Sequence, residues 1–164
     1  MMTKARYMAM KTWFEERPRC LSLLRLLASL LTKLVYILYG LGILYLFYGD
    51  RSALPRFMGV PLAVFISGSL IRRSINAPRP YEVFETAPLL PKDTRGRSFP
   101  SRHVFSSAAI AAAFAGVNPV VGLGMALVCL LIALTRVLGG VHWPKDVLAG
   151  LVYGGLLGLL GLYL

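Results

Sequence analysis

The chain has 164 residues, of which 57% are hydrophobic, and it carries 18 Lys and Arg against 7 Asp and Glu for a formal charge of +11. That length is room for one domain, 1–164. A basic balance commonly marks a nucleic-acid binder, but a mean hydropathy of +0.66 with only 15% charged residues leaves too little polar surface for a soluble protein. Nucleic acid is therefore excluded as a partner and a lipid bilayer is the expected one.

In chain order, residues 1–25 come first, with Lys4, Arg6, Lys11, Arg17, Arg19 and Arg25 beside Trp13 and Phe14. They read as an N-terminal interfacial helix attracted to anionic lipid, or as a solvated basic tail; no small-residue cleavage site follows a compact apolar core, against a signal peptide. Four stretches then carry no charge: Leu34–Tyr48, Phe57–Ile71, Val104–Thr135 and Val147–Leu164. A charge at the bilayer centre costs roughly 2.5–3.5 kcal/mol on insertion scales, so these are the segments that can enter lipid. The third is interrupted by Gly116-Val117-Asn118-Pro119, a turn signal whose proline can open a new helix, and it reads as a helical hairpin. The expected fold is all-α: a multi-pass transmembrane bundle of about five spans, or six if a further crossing lies within 21–48. The first two stretches fall short of the ~20 residues a crossing needs and must borrow flanks, the first back to Leu26 with Lys33 snorkelling, the second from Ala53. Gly150, Gly154 and Gly158 recur at four-residue spacing, which places them on one helix face for close packing. Cys20 and Cys129 are far apart, and neither a disulfide framework nor a cysteine metal site is expected.

The residues that remain outside these spans are polar and mostly basic. Arg72–His103 holds seven cations (Arg72, Arg73, Arg79, Lys92, Arg95, Arg97, Arg102) against Glu82, Glu85 and Asp93, and Arg136–Asp146 holds His142. A two-helix hairpin separates the two segments, so both histidines of the chain emerge on one membrane face with Arg72, Arg79, Arg102, Arg136 and Asp146. Two His and an Asp could in principle hold a metal. Several guanidinium groups repel a cation and instead satisfy the tetrahedral oxygens of a phosphate through forked hydrogen bonds. Ser101 at a helix N-cap and Pro144 near a helix N1 would add two helix N-termini aimed at the same anion.

Arg72-x6-Arg79-Pro80, Pro100-Ser101-Arg102-His103 and Thr135-Arg136-x5-His142-x3-Asp146 resemble the three-part signature of the type 2 phosphatidic acid phosphatase (PAP2) superfamily. The resemblance covers 72–146. The family pattern is Lys-x6-Arg-Pro, Pro-Ser-Gly-His and Ser-Arg-x5-His-x3-Asp. Arg72 for Lys keeps the charge and Thr135 for Ser keeps the hydroxyl. Arg102 for Gly is the serious departure, since its side chain either adds a contact to a phosphate or headgroup or points away.

The resemblance implies roles. His142 would attack phosphorus to give a phosphohistidine, Asp146 would accept from its other ring nitrogen, and His103 would protonate the leaving oxygen and then activate water. Arg72, Arg79, Ser101, Arg102 and Arg136 would bind the phosphate, and the scheme calls for no metal or other cofactor. Arg73, Arg95 and Arg97 match no motif position and read as surface or headgroup contacts; Trp143, Tyr81 and Tyr153 read as interface aromatics. Tyr81–Arg97 reads as a headgroup lid. The implied substrate is a membrane lipid phosphate or diphosphate, of the phosphatidic acid, phosphatidylglycerol phosphate or undecaprenyl diphosphate kind, and the implied location is the cytoplasmic membrane. A non-catalytic relative that binds or moves anionic lipids is the competing class, and the full His103, His142, Asp146 set argues against it. Vanadate-dependent haloperoxidase chemistry is disfavoured by the apolar spans.

With five spans, sixteen of the 18 cations share the motif face and only Arg51 and Arg56 lie opposite. The positive-inside rule places that face in the cytoplasm. The family resemblance implies the outer face, and a sixth span would remove the conflict by moving the N-terminus across.

Overall fold

The structure, a computed structural model, describes residues 2–92 and 94–163; Asp93 and the Leu164 end of the last stretch lie outside them. Seven helices follow one another: α1 Lys4–Glu15, α2 Pro18–Tyr48, α3 Leu54–Ile75, α4 Pro80–Val83, α5 Arg102–Val117, α6 Pro119–Leu138 and α7 Pro144–Leu160, the last continued by a 3-10 turn Gly161–Tyr163. Among the described residues, α2, α3, α6 and α7 are long and apolar enough to cross a membrane. The fifth bundle helix, α5, has 16 residues and at 1.5 Å per residue reaches about 24 Å. It is the core of the bundle, sheathed by α3, α6 and α7, and ten successive residues from Val104 to Ala113 are buried.

The hairpin forms where the sequence places it. Asn118 caps α6 by accepting from the amides of Val120 and Val121 at 3.0 and 3.2 Å, and Pro119 takes the first helical position, where its missing N–H costs nothing. α3 ends at Asn76, which adopts the left-handed conformation (φ 44°) that closes a helix. Small residues set the α5–α7 approach: an added Cβ at Gly150, Gly154 or Gly158 would meet Ser101 and Val104, the Phe105 backbone, or Ala109 and Ala112.

The basic segment 1–25 is divided rather than single. α1 stops at Glu15, and α2 begins at Pro18, whose ring opens a helix but cannot continue one. Residues 18–25 therefore belong to the 31-residue α2, which runs unbroken to Tyr48 and leaves no room for a sixth span. Arg136 at the end of α6 donates to Thr32 Oγ1 (2.6 Å) and Ala28 O (3.1 Å) of α2. That contact levels the end of α6 with Ala28–Thr32; from there Ser29–Tyr48 has the roughly 20 residues needed to cross ~30 Å of hydrocarbon, and the earlier turns of α2 extend past the end of α6. There α1 docks on the motif face. Tyr7, 1% exposed, packs its ring at a tilt against Phe84 and donates to Gly140 O at 3.2 Å, while Phe14 packs among Leu24, Tyr81, Leu89 and Val141. Charge still divides sixteen to two between the ends.

Candidate active site

Four helix ends meet at this face: the C-termini of α3 and α6 and the N-termini of α5 and α7. Ser101 N donates to Asp146 O at 2.9 Å and ties the last two together. Between them lies a cavity of about 390 Å³ lined by Arg72, Arg73, Arg79, Lys92, Arg97, Arg102, His103, Arg136 and His142, with Phe65, Ile66, Ser69 and Leu70 of α3 on one side. Among the described residues no carboxylate lines it. Phe65, Ile66 and Leu70 are exposed on the bundle's outer surface, so this wall joins a cationic chamber to the lipid-facing side.

His142 is 3% exposed, between α6 and α7. Its Nδ1 lies 3.5 Å from Asp146 Oδ2 and 3.4 Å from Ser98 Oγ, and its Nε2 lies 3.5 Å from Arg79 Nη1 on the cavity side. Asp146, fully buried at the third position of α7, accepts from Trp143 N at 3.0 Å and from Ser98 Oγ at 2.5 Å; its other oxygen, Oδ1, has no hydrogen-bond partner. Burial is the first cause that pushes His142 down to about 4; the hydrogen bond to Asp146 opposes it, and Arg79 and Arg72 reinforce it. At neutral pH the ring is uncharged, with a lone pair available on one nitrogen. Lys92, between α4 and α5, is also held below the usual lysine range, by burial first and then by its cationic neighbours Arg79, Arg102, Arg136 and Arg72.

The arginines are anchored by main chain. Arg72 Nη1 donates to Ser98 O at 3.3 Å and to Pro100 O. Arg79 donates from Nε to Gly96 O and from Nη1 to Val141 O, each at 3.0 Å, and burial lowers its pKa. These bonds fix each planar fork at the cavity wall. Of the residues singled out from sequence, Arg72, Arg79, Arg102, His103, Arg136 and His142 reach the cavity directly. Asp146 stands behind His142, and Ser101 is buried beside the α5–α7 junction. Ser101 occupies the N-cap position of α5 without capping it; its Oγ is buried without a partner. Arg102 stands exposed at the cavity rim.

Other readings change. Arg73 and Arg97 line this cavity, and Arg95 a neighbouring one. Tyr153 donates to Ser67 of α3 and meets Phe105 edge to face, so it is a packing residue; Tyr81 is buried and donates to Thr94 O. The lid segment is pinned, because the Leu89 and Leu90 amides both donate to Gly139 O, at 3.1 and 3.2 Å. Sequence reasoning missed Ser98, a fully buried hydroxyl two positions before Pro100, and the aromatic Tyr7–Phe84–Trp143 cluster that ends one residue after His142. Neither has a motif of its own.

The sequence profile of the PAP2 superfamily matches residues 33–164. The lipid A 1-phosphatase of Rhizobium etli is 35% identical over 97 residues, covering 56% of this chain and 41% of that protein. The lipid A 1-phosphatase of Rhizobium johnstonii is also 35% identical over 97 residues, covering 56% and 39%. The chain thus spans about two fifths of the length of these curated relatives. Among solved structures, Aquifex aeolicus LpxE superimposes with a TM-score of 0.73 at 25% identity, covering 87% of both chains. The transmembrane PAP2 type phosphatidylglycerolphosphate phosphatase of Bacillus subtilis does so with 0.67 at 24% identity, covering 96% of this chain and 81% of that one, a likeness of fold.

Proposed function

Because the chain belongs to the PAP2 superfamily, we propose that it is an integral-membrane phosphatase that removes phosphate from a membrane lipid through a phosphohistidine. One observation carries this: His142, uncharged at neutral pH, presents Nε2 to a cavity walled by cations while Nδ1 faces a buried carboxylate. A site that only bound anions would have no use for that pairing.

In the proposed reaction the lipid phosphate enters along α3 and its oxygens are held by Arg72, Arg79, Arg102 and Arg136 with the α5 and α7 N-termini. His142 Nε2 attacks phosphorus as the bond to the lipid oxygen breaks, and Asp146 stabilises the positive ring that develops. His103, at the start of α5 in the same cavity wall, gives its proton to the leaving oxygen. It then takes one from a water, whose oxygen attacks phosphorus; the P–N bond breaks, inorganic phosphate leaves and His142 is regenerated. Charge on the transferring group is met by fixed guanidinium groups, so the scheme needs no metal.

A phosphorylated glycolipid of the lipid A kind is the substrate we favour, on the 35% identity to two lipid A 1-phosphatases. The test is phosphate release by detergent-purified protein, with chelator present, from lipid A, phosphatidic acid, phosphatidylglycerol phosphate and undecaprenyl diphosphate. Activity should be greatest on lipid A, blocked by vanadate and absent in His142→Ala. Full activity in that variant would sink the mechanism; a strict need for Mg²⁺ would sink the metal-free scheme.

A further inference from the structure

A second cavity, of about 270 Å³, opens beside the first and is lined by Arg25, Ala28, Ser29, Thr32 and Lys33 of α2 together with Leu90, Pro91 and Arg136. The last three also line the reaction cavity, so the two chambers share a wall. Arg25, Ser29, Thr32 and Lys33 stand at i, i+4, i+7 and i+8, one polar stripe on a helix otherwise suited to lipid. Arg25 stands before the crossing segment Ser29–Tyr48 and Lys33 in its first turns, so both cationic heads reach headgroup level. Among the described residues none of the three cations has a carboxylate within 4.0 Å. Arg25 is held by its Nε bond to Leu89 O at 2.9 Å, and Arg136 by Ala28 and Thr32, with its Nε buried and unpartnered. The three cations at the rim of this opening find no carboxylate among the described residues, and an anion from outside would satisfy them.

We infer that this cavity is a second anion subsite, which takes a lipid phosphate other than the one being cleaved. It comes either from the same substrate, making lipids with two phosphate groups the preferred class, or from a neighbouring bilayer lipid. Arg25 precedes the 33–164 region matched by the family profile and Lys33 is its first residue, so two of the three cations lie outside the three sequence motifs. The inference rests on the phosphatase reading above.

The variant is Lys33→Gln, an exposed position, with Lys33→Arg as the conservative replacement and Arg25→Gln/Lys33→Gln as the stronger lesion. In neutral detergent micelles, KM for a lipid carrying two phosphates should rise about tenfold in Lys33→Gln with kcat within twofold, further in the double variant, and stay near wild type in Lys33→Arg. A one-phosphate lipid should be cleaved equally well by all. If a bilayer lipid is the source, adding phosphatidylglycerol should instead stimulate wild type on the one-phosphate lipid and leave Lys33→Gln unmoved. Equal kinetics on every substrate together with equal stimulation by phosphatidylglycerol, or an equal loss on every substrate, overturns the subsite while leaving the phosphatase intact. Failure of wild type to release phosphate from any lipid overturns the phosphatase reading itself.

Discussion

Replacing Gly154 by Ala tests whether the contact between α5 and α7 holds the site together. The added Cβ would stand 2.7 Å from Phe105 Cα and 2.8 Å from Phe105 C, closer still to its carbonyl oxygen. These are backbone atoms of a buried helix and cannot swing aside. The carbonyl oxygen is the nearest atom, and relieving its contact requires the helices to part by about 1 Å. A gap of 0.5–1 Å forfeits a quarter to a half of each 0.1–0.2 kcal/mol atom pair along the interface, which over a few dozen pairs is on the order of 1–3 kcal/mol. Gly155, the next residue, has nothing within 4 Å of its added Cβ. Gly155→Ala therefore gains the same helix propensity, about 1 kcal/mol, without the clash, and the difference between the two variants isolates packing. Unfolding in mixed micelles with SDS should place Gly154→Ala 1–3 kcal/mol below Gly155→Ala. Activity should fall too, since parting these helices stretches Ser101 N from Asp146 O and carries His103 away from His142; a displacement of about 1 Å can cost 100-fold in rate. Variants within 0.5 kcal/mol of each other, both fully active, would refute the argument.

His142 makes stability depend on acid. Its pKa is near 4 folded and near 6.5 unfolded, so the unfolded chain binds the proton first; stability is complete above pH 6.5 and lost as pH falls through 4. Wild type should lose about 3 kcal/mol more than His142→Gln between pH 7 and pH 4, and parallel curves would contradict the burial argument. Tyr7→Phe removes only the bond to Gly140 O, about 0.5–1.5 kcal/mol; Tyr7→Ala also empties the space against Phe84, about 3–5 kcal/mol. Tryptic cleavage after Lys11 and Arg19 should accelerate slightly in the first and strongly in the second. Ser98→Ala takes a donor from a buried carboxylate that already has one unpartnered oxygen, and should destabilise by about 1–3 kcal/mol in the same SDS titration, whereas alanine at exposed Ser74 should change little.

Spans and chemistry were legible in the sequence for the same reason. A charge is expensive in lipid, so each uncharged run outlines a helix, and each histidine or arginine kept near a helix end stands out against it. Pro119 and Asn118 marked the hairpin through chemistry that acts within four residues. The divided N-terminus was harder, because Lys4–Arg25 has the same basic composition on both sides of Pro18, and only the proline marks the break. What holds the cations was hidden for a different reason. Arg72 and Arg79 are aimed by the carbonyls of Ser98, Pro100, Gly96 and Val141, and a carbonyl is supplied by any residue, so no side-chain pattern records it. Tyr7 reaches Gly140 in the same way, across 133 positions. Gly140 itself shows the limit: its positive φ of 72° and the Tyr7 ring where a Cβ would stand both require glycine. In the sequence it is one of 16, set apart only when α1 is folded back onto the motif loop. A site made of scarce residues held by common groups therefore shows its chemistry early and its support late, and the parts of this one that sequence left unread are those that position rather than react.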